Sequence, residues 1–174
     1  MNEVIKTILS RRSVRSFTNE MVPKEMIEEI VNAGQYAPSA MNSQSPIILV
    51  VTRKDLIERM SKMNAQALGT ENFDPFFGAP ALLVVLAERN APCPEYDGSL
   101  VMENMMIAAT SLGLGTCWIN RAKEVFDSLE ETKEVVDHII ASYDSVDGPF
   151  IYAVILDVNV KIEDEVIGKY IKNI

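Results

Sequence analysis

Residues 96–112 restrict the possible folds more than any other stretch of the chain. Leu100, Val101, Met102, Met105, Met106, Ile107, Ala108, Ala109 and Leu112 crowd one helical segment and leave almost no polar face. A helix that is apolar on every side must be covered on every side. Either it runs through the middle of the protomer, or it supplies part of a subunit interface, where methionine adapts well to a partner surface. Gly113-Leu114-Gly115 ends it, and Thr116-Cys117-Trp118-Ile119 follows as a short strand.

The layers that cover such a helix are also legible. Ile47-Ile48-Leu49-Val50-Val51 and residues 81–87 are uninterrupted aliphatic runs of the kind found in strands buried on both faces, and residues 150–156 read as a further strand. Residues 54–67 have helical spacing, with Leu56, Ile57, Met60 and Met63 inward and the pairs Asp55/Arg59 and Glu58/Lys62 outside. An earlier helix starts at Pro23, buries Met26, Ile27, Ile30 and Val31, and stops near Tyr36, because Pro38 disfavours helical geometry at Ala37. Between residues 68 and 80, Phe73, Phe76 and Phe77 make a linker too apolar to lie free in solvent. Helical segments are expected at 123–129 and 132–142, and a loop holds Asp144, Asp147, Gly148 and Pro149. Strands alternating with helices around a long buried helix indicate an α+β or α/β sandwich, and 174 residues fit one domain, 1–174.

Chemistry is concentrated in Arg11-Arg12-Ser13-Val14-Arg15-Ser16-Phe17. Three guanidiniums and two hydroxyls stand within a few positions of a chain whose net charge is −9, and arginine's fork of N–H donors suits phosphate oxygens. Val4, Ile5, Ile8 and Leu9 have helical spacing, so the cluster falls at the C-terminal end of a first helix, where cations also serve simply to oppose the macrodipole. The other concentration is Ala37-Pro38-Ser39-Ala40-Met41-Asn42-Ser43-Gln44-Ser45-Pro46, a loop of hydroxyls and amides without charge.

Several classes are disfavoured. Twenty-five acidic against sixteen basic residues, with no basic tail, argues against nucleic acid or an anionic membrane as partner. No apolar run reaches the roughly 20 residues of a membrane span, and a soluble, cytoplasmic protein is expected. Cys93 and Cys117 do not form a metal-ligand pattern, so no metal site is expected. His138, the one histidine, reads as a surface or interface residue rather than a catalytic base.

Three segments together resemble the FMN-dependent nitroreductase family: residues 11–17, residues 37–44, and Gly113-Leu114-Gly115-Thr116-Cys117-Trp118-Ile119. The resemblance covers roughly the first 125 residues and implies an α+β, three-layer α/β/α sandwich with a central, mostly antiparallel sheet and a long buried helix. It implies that Arg11, Arg12 and Ser13 hold the FMN phosphate and the ring edge; Arg15 belongs to the same cofactor-binding segment, but its position suits bracing the following loop or pairing with a carboxylate. Pro38, Ser39 and Asn42 would lie along a cofactor held by the partner subunit of a homodimer. Asn72 resembles another ring-contacting position, and Trp118, Ile119, Asn120 and Arg121 match the turn whose backbone N–H groups reach the flavin. The implied activity is NADH- or NADPH-dependent reduction of nitroaromatics, quinones or similar small acceptors by a ping-pong mechanism. With the flavin carrying the redox chemistry, no catalytic side chain is required. A non-catalytic flavin-binding module and another reaction on the same scaffold, such as reductive dehalogenation, are the alternatives. Residues 157–174 depart from the family pattern, with no arginine after Arg121 and no proline after Pro149 where a basic, proline-containing tail is usual.

Overall fold

The structure is a computed structural model, and it describes residues 1–121, 150–156 and 168–170. The helical segments expected at 123–129 and 132–142, His138 and the loop before Pro149 lie outside the described residues. In chain order the elements are α1 (Glu3–Ser10), α2 (Lys24–Gln35), a 3-10 turn (Ala40–Asn42), β1 (Ile47–Val51), α3 (Lys54–Ala67), β2 (Ala81–Ala87), α4 (Pro94–Ser111), β3 (Thr116–Ile119), β4 (Phe150–Leu156) and β5 (Gly168–Tyr170).

The strands form one sheet in the order β3-β4-β2-β1-β5, and every pairing is antiparallel. Strand alternation divides its central residues between two cores. Ile48, Val50, Ala81, Leu83 and Val85 point to the face covered by α2 and α4, while Leu49, Val51, Leu82, Val84 and Leu86 point to the face that holds Ile57 of α3 and Phe76. Helices therefore lie on both sides of the sheet, which accounts for runs of apolar residues without a polar alternate. The expected α+β, three-layer arrangement is what the chain adopts. Gly34 shows how closely α2 sits on α4: a Cβ there would come within 2.7 Å of Met105 Cγ and 2.9 Å of Ile48 Cδ1.

Four differences from the sequence expectations have physical reasons. Asp55 is bonded by Arg53, the cap residue of α3, and Glu58 faces Lys54 rather than Lys62, because residues at the start of the helix compete for the same carboxylates. Pro23 occupies the cap of α2 rather than its first turn. The three residues of β5 were not distinguished from the alternating tail. Finally, α4 is covered on its sheet side, where Val101, Met102, Met105 and Ala109 are buried, but toward its N-terminal end two large side chains stay open in the protomer: Leu100 is 43% and Tyr96 74% exposed. The interface alternative for this helix thereby gains over a fully internal one. Helix α1 lies against α4 and has no buried residue, with Val4, Ile5, Ile8 and Leu9 all open.

Candidate functional site

The arginine segment is an extended stretch held along the outer edge of β3, the strand at the end of the sheet. Ser13 bridges Thr116 in parallel, and the Val14 N–H donates to the Thr116 carbonyl at 2.9 Å. Further on, the Phe17 N–H donates to the Phe77 carbonyl at 3.4 Å, which ties the segment to the aromatic linker. Gly115 makes the approach possible. A Cβ at that position would stand 3.0–3.2 Å from Cγ2, Cβ and Cγ1 of Val14.

The three arginines differ in their surroundings. Arg12 folds back over the end of α1, its NH1 donating to the carbonyls of Leu9 at 2.8 Å and Arg11 at 2.7 Å. That is the capping role expected of a cation at a helix C-terminus. Arg11 and Arg15 instead approach Cys117. Burial pushes the Cys117 thiol above its ordinary value, while the positive charges of Arg15 and Arg11 oppose the shift. Among the described residues no carboxylate forms an ion pair with any of the three. Thr116 is 1% exposed, and its hydroxyl has no hydrogen-bond partner among the described residues.

The second segment lies at the other end of α4. Within it Met41, Asn42 and Gln44 adopt positive φ angles of 52°, 57° and 51°. Such left-handed backbone costs a residue with a side chain roughly 1–2 kcal/mol, so the loop has to be held. The Gln44 N–H donates to Ser39 Oγ and Gln44 Nε2 to Asn42 Oδ1, both at 2.9 Å. Asp97, in the first turn of α4, accepts the Ala40 N–H at 2.9 Å and the Ser43 hydroxyl at 3.3 Å. Pro38 and Asn42 remain exposed, and Pro38 and Ser39 line a small cavity of about 20 Å³ with Gly34, Ile48 and Val101.

The remaining candidates are placed as follows. Trp118 packs on the α2–α4 side of β3 and Ile119 on the opposite side, so their side chains belong to the two cores. Asn120 and Arg121 turn away beyond the strand. Asn72 is exposed in the linker before β2, a segment braced by Asp74, which accepts the Ser61 hydroxyl at 2.6 Å and the Phe76 N–H at 2.9 Å. One protomer thus joins residues 11–15 to β3 and residues 39–44 to the start of α4, but it does not bring these two groups together. Asp97 and Ser111 are about 21 Å apart along the helix at about 1.5 Å per residue. Sequence reasoning missed Asp97 and Thr116. The available signal for Asp97 was a carboxylate near the start of an otherwise apolar helix. Among the described residues no group of His, Cys, Asp and Glu is placed to hold a metal ion, and no helix is long and apolar enough to cross a membrane.

A three-layer α+β domain with an arginine-rich segment on one sheet edge and a strained polar loop at the far end of its central helix narrows the field to one kind of domain. The chain matches the Nitroreductase family over residues 8–139 and belongs to it. It is 29% identical over 156 residues to a Bacillus subtilis protein named FMN reductase (NADPH), covering 80% of this chain and 63% of that one. A second B. subtilis protein, named FMN reductase [NAD(P)H], is 31% identical over 161 residues, covering 78% and 62%. The chain therefore spans a little under two thirds of these two relatives. A crystal structure of a nitroreductase with bound FMN from Bacteroides fragilis superimposes with a TM-score of 0.79 at 26% identity, covering 97% of this chain and 96% of that one.

Proposed function

We propose that this protein is an FMN-dependent oxidoreductase that takes electrons from NADH or NADPH and passes them to a nitroaromatic, a quinone or a similar small acceptor. The observation that carries the reading is the arginine segment. In a chain with net charge −9, a segment carrying three guanidiniums, none with a carboxylate partner among the described residues, is tied by its backbone to an edge strand beside the buried Thr116 hydroxyl, which has no hydrogen-bond partner among the described residues. That donor set fits a phosphate dianion, and the uncharged loop at residues 38–42 fits a polyol chain and a neutral heterocycle. Bound FMN would supply the two-electron chemistry, as flavins do.

On this reading Arg11, Ser13 and Arg15 hold the phosphate and the polar ring edge. Arg12 keeps the end of α1 in place, a reassignment that follows from its bonds to the Leu9 and Arg11 carbonyls. Pro38, Ser39 and Asn42 contribute from a second subunit, with Asn72 and the backbone of Trp118, Ile119, Asn120 and Arg121 at the ring. The separation of the two segments along α4, together with the apolar side chains open on α1 and α4, supports a homodimer that completes the site. Donor and acceptor then share one ring face and bind in turn, giving ping-pong kinetics.

The test is FMN uptake followed by steady-state turnover. We expect the flavin-free protein to quench added FMN fluorescence, the loaded protein to oxidise NADH or NADPH, and double-reciprocal plots to be parallel. Arg11→Ala and Arg15→Ala should each weaken FMN binding by roughly thirtyfold or more, because a buried anion left without its charge-assisted donor costs at least about 2 kcal/mol. Arg12→Ala should weaken it less and lower stability instead. FMN uptake without NAD(P)H oxidation would point to a non-catalytic flavin module. Arginine variants that bind FMN like the parent would remove the basis of the assignment.

A further inference from the structure

We infer that Asp97 is a positioning residue for the cofactor loop: its carboxylate grips Ala40 and Ser43 and so holds the left-handed pair Met41–Asn42 between them in the turn that presents Ser39 and Asn42. The inference rests on the proposed FMN site and adds a residue that touches neither flavin nor substrate.

Asp97 is 2% exposed, and no cation pairs with it among the described residues. A buried carboxylate without a counter-ion is retained only where fixed N–H and O–H donors satisfy it. Both of its oxygens go to one loop, 57 and 54 residues away in sequence: Oδ1 to the Ala40 N–H at 2.9 Å and Oδ2 to the Ser43 hydroxyl at 3.3 Å. The two bonds flank Met41 and Asn42, the consecutive residues with φ of 52° and 57°. Asn42 is of a type that tolerates this region, but Met41 is not, and at 89% exposure Met41 gains almost no packing there. The left-handed turn is therefore maintained by its bonds. Inside the loop Ser39 Oγ accepts the Gln44 N–H, while Asp97 hydrogen-bonds the turn to a helix of the core.

A second role, favourable interaction of a negative charge with the first turn of α4, applies equally to Glu95 and does not explain the burial of Asp97. The two roles make different predictions. Asparagine loses the charge but keeps an acceptor for Ala40 and a polar group for Ser43. A clamp therefore survives Asp97→Asn, whereas a charge effect does not.

The experiment compares the parent with Asp97→Ala, Asp97→Asn and Ser43→Ala, using FMN itself as the probe. We expect Asp97→Ala to raise the FMN Kd by about tenfold or more, the range for leaving a buried amide without its acceptor, and Ser43→Ala to raise it by roughly two- to threefold. Asp97→Asn should bind within about threefold of the parent. Amide exchange at Ala40 in the flavin-free proteins should be faster in Asp97→Ala and near the parent rate in Asp97→Asn. If Asp97→Ala folds poorly, Ser43→Ala and Asp97→Asn still decide the matter, since both leave the core intact. Parent-like FMN affinity in Asp97→Ala or Ser43→Ala overturns the inference, as does an Asp97→Asn variant no better than Asp97→Ala. A parent that binds no FMN is a different result. It removes the proposed function, while the exchange rate at Ala40 still tells whether the clamp exists.

Discussion

Gly115→Ala tests whether the arginine segment is held to the sheet by close packing. The new Cβ would sit 3.0 Å from Val14 Cγ2, 3.1 Å from its Cβ and 3.2 Å from its Cγ1. Rotation about χ1 cannot clear all three atoms, and a β-branched side chain has few alternative rotamers in any case. Relief has to come from the backbone, by lengthening the 2.9 Å bond from the Val14 N–H to the Thr116 carbonyl. Overpacking of this kind costs about 1–3 kcal/mol. The smaller unfolded-state entropy of alanine returns roughly 0.4–1 kcal/mol, since Gly115 is not among the glycines with positive φ. At mid-range the net loss is about 1.3 kcal/mol, a fall of roughly 3–5 °C in Tm for a chain of this size.

The same geometry predicts a specific partner. Val14→Ala alone should cost about 1 kcal/mol for the methyl groups it removes. In the double variant those methyls no longer meet the new Cβ, so the losses should fall short of additive by roughly 1 kcal/mol. Denaturant titration of the four proteins measures this coupling, and FMN titration should follow it, because Ser13 and Arg15 move with Val14. Additive losses to within about 0.4 kcal/mol, or a Gly115→Ala protein as stable as the parent, would falsify the close-packing account.

Further expectations follow from particular residues. Cys117 is buried with its thiol raised above the ordinary value of 9.0, so the folded state keeps its proton at pH values where the unfolded state has lost it. Stability is complete below about pH 9.0 and falls as pH rises beyond it, by no more than about 1.4 kcal/mol per pH unit. Replacing Cys117 with serine should flatten that alkaline slope, and a thiol reagent at pH 8 should modify Cys93 in the native protein and Cys117 only on unfolding. A native protein whose two thiols react at equal rates would contradict this. For the proposed dimer, Leu9→Lys with Leu100→Lys places two charges on the open faces of α1 and α4, and sedimentation should show a shift toward folded monomer with FMN binding weakened in parallel. An unchanged sedimentation coefficient would place the interface elsewhere.

Much of the fold was legible because its strands are uninterrupted aliphatic runs bounded by proline, glycine or charge. The limits expected for β1, β2, β3 and β4, and for α3, are those observed. What was not legible depends on residues far apart in sequence. The segment Gly168–Tyr170 is too short to carry a pattern of its own and becomes a strand by pairing with Ile48–Val50 of β1. Of the surface carboxylates of α3, Asp55 took the nearer Arg53 and Glu58 took the i−4 lysine, Lys54, rather than the i+4 one, a choice between solvated partners that spacing alone does not make. Left-handed backbone was missed at Met41, Asn42 and Gln44, since glycine is the usual sign of it and none of the three is glycine.

The site divides in the same way. A cluster of three arginines in an acidic chain points to the anion site proposed here without any structure, but composition cannot tell which guanidiniums are available to an anion. That depends on the end of α1, which takes Arg12, and on the edge of β3, where the charges of Arg15 and Arg11 are felt at Cys117. The loop at residues 37–46 was recognisable by its lack of charge, while the residue that shapes it, Asp97, lies in a helix whose apolar content drew attention elsewhere. On the proposed reading these observations have one cause. The helix whose Tyr96 and Leu100 stay open in the protomer is also the one whose two ends carry the two halves of the proposed site. A second copy that covers α4 would then bring the loop of one subunit to the arginines of the other, so loss of the apolar contact and loss of the cofactor should occur together.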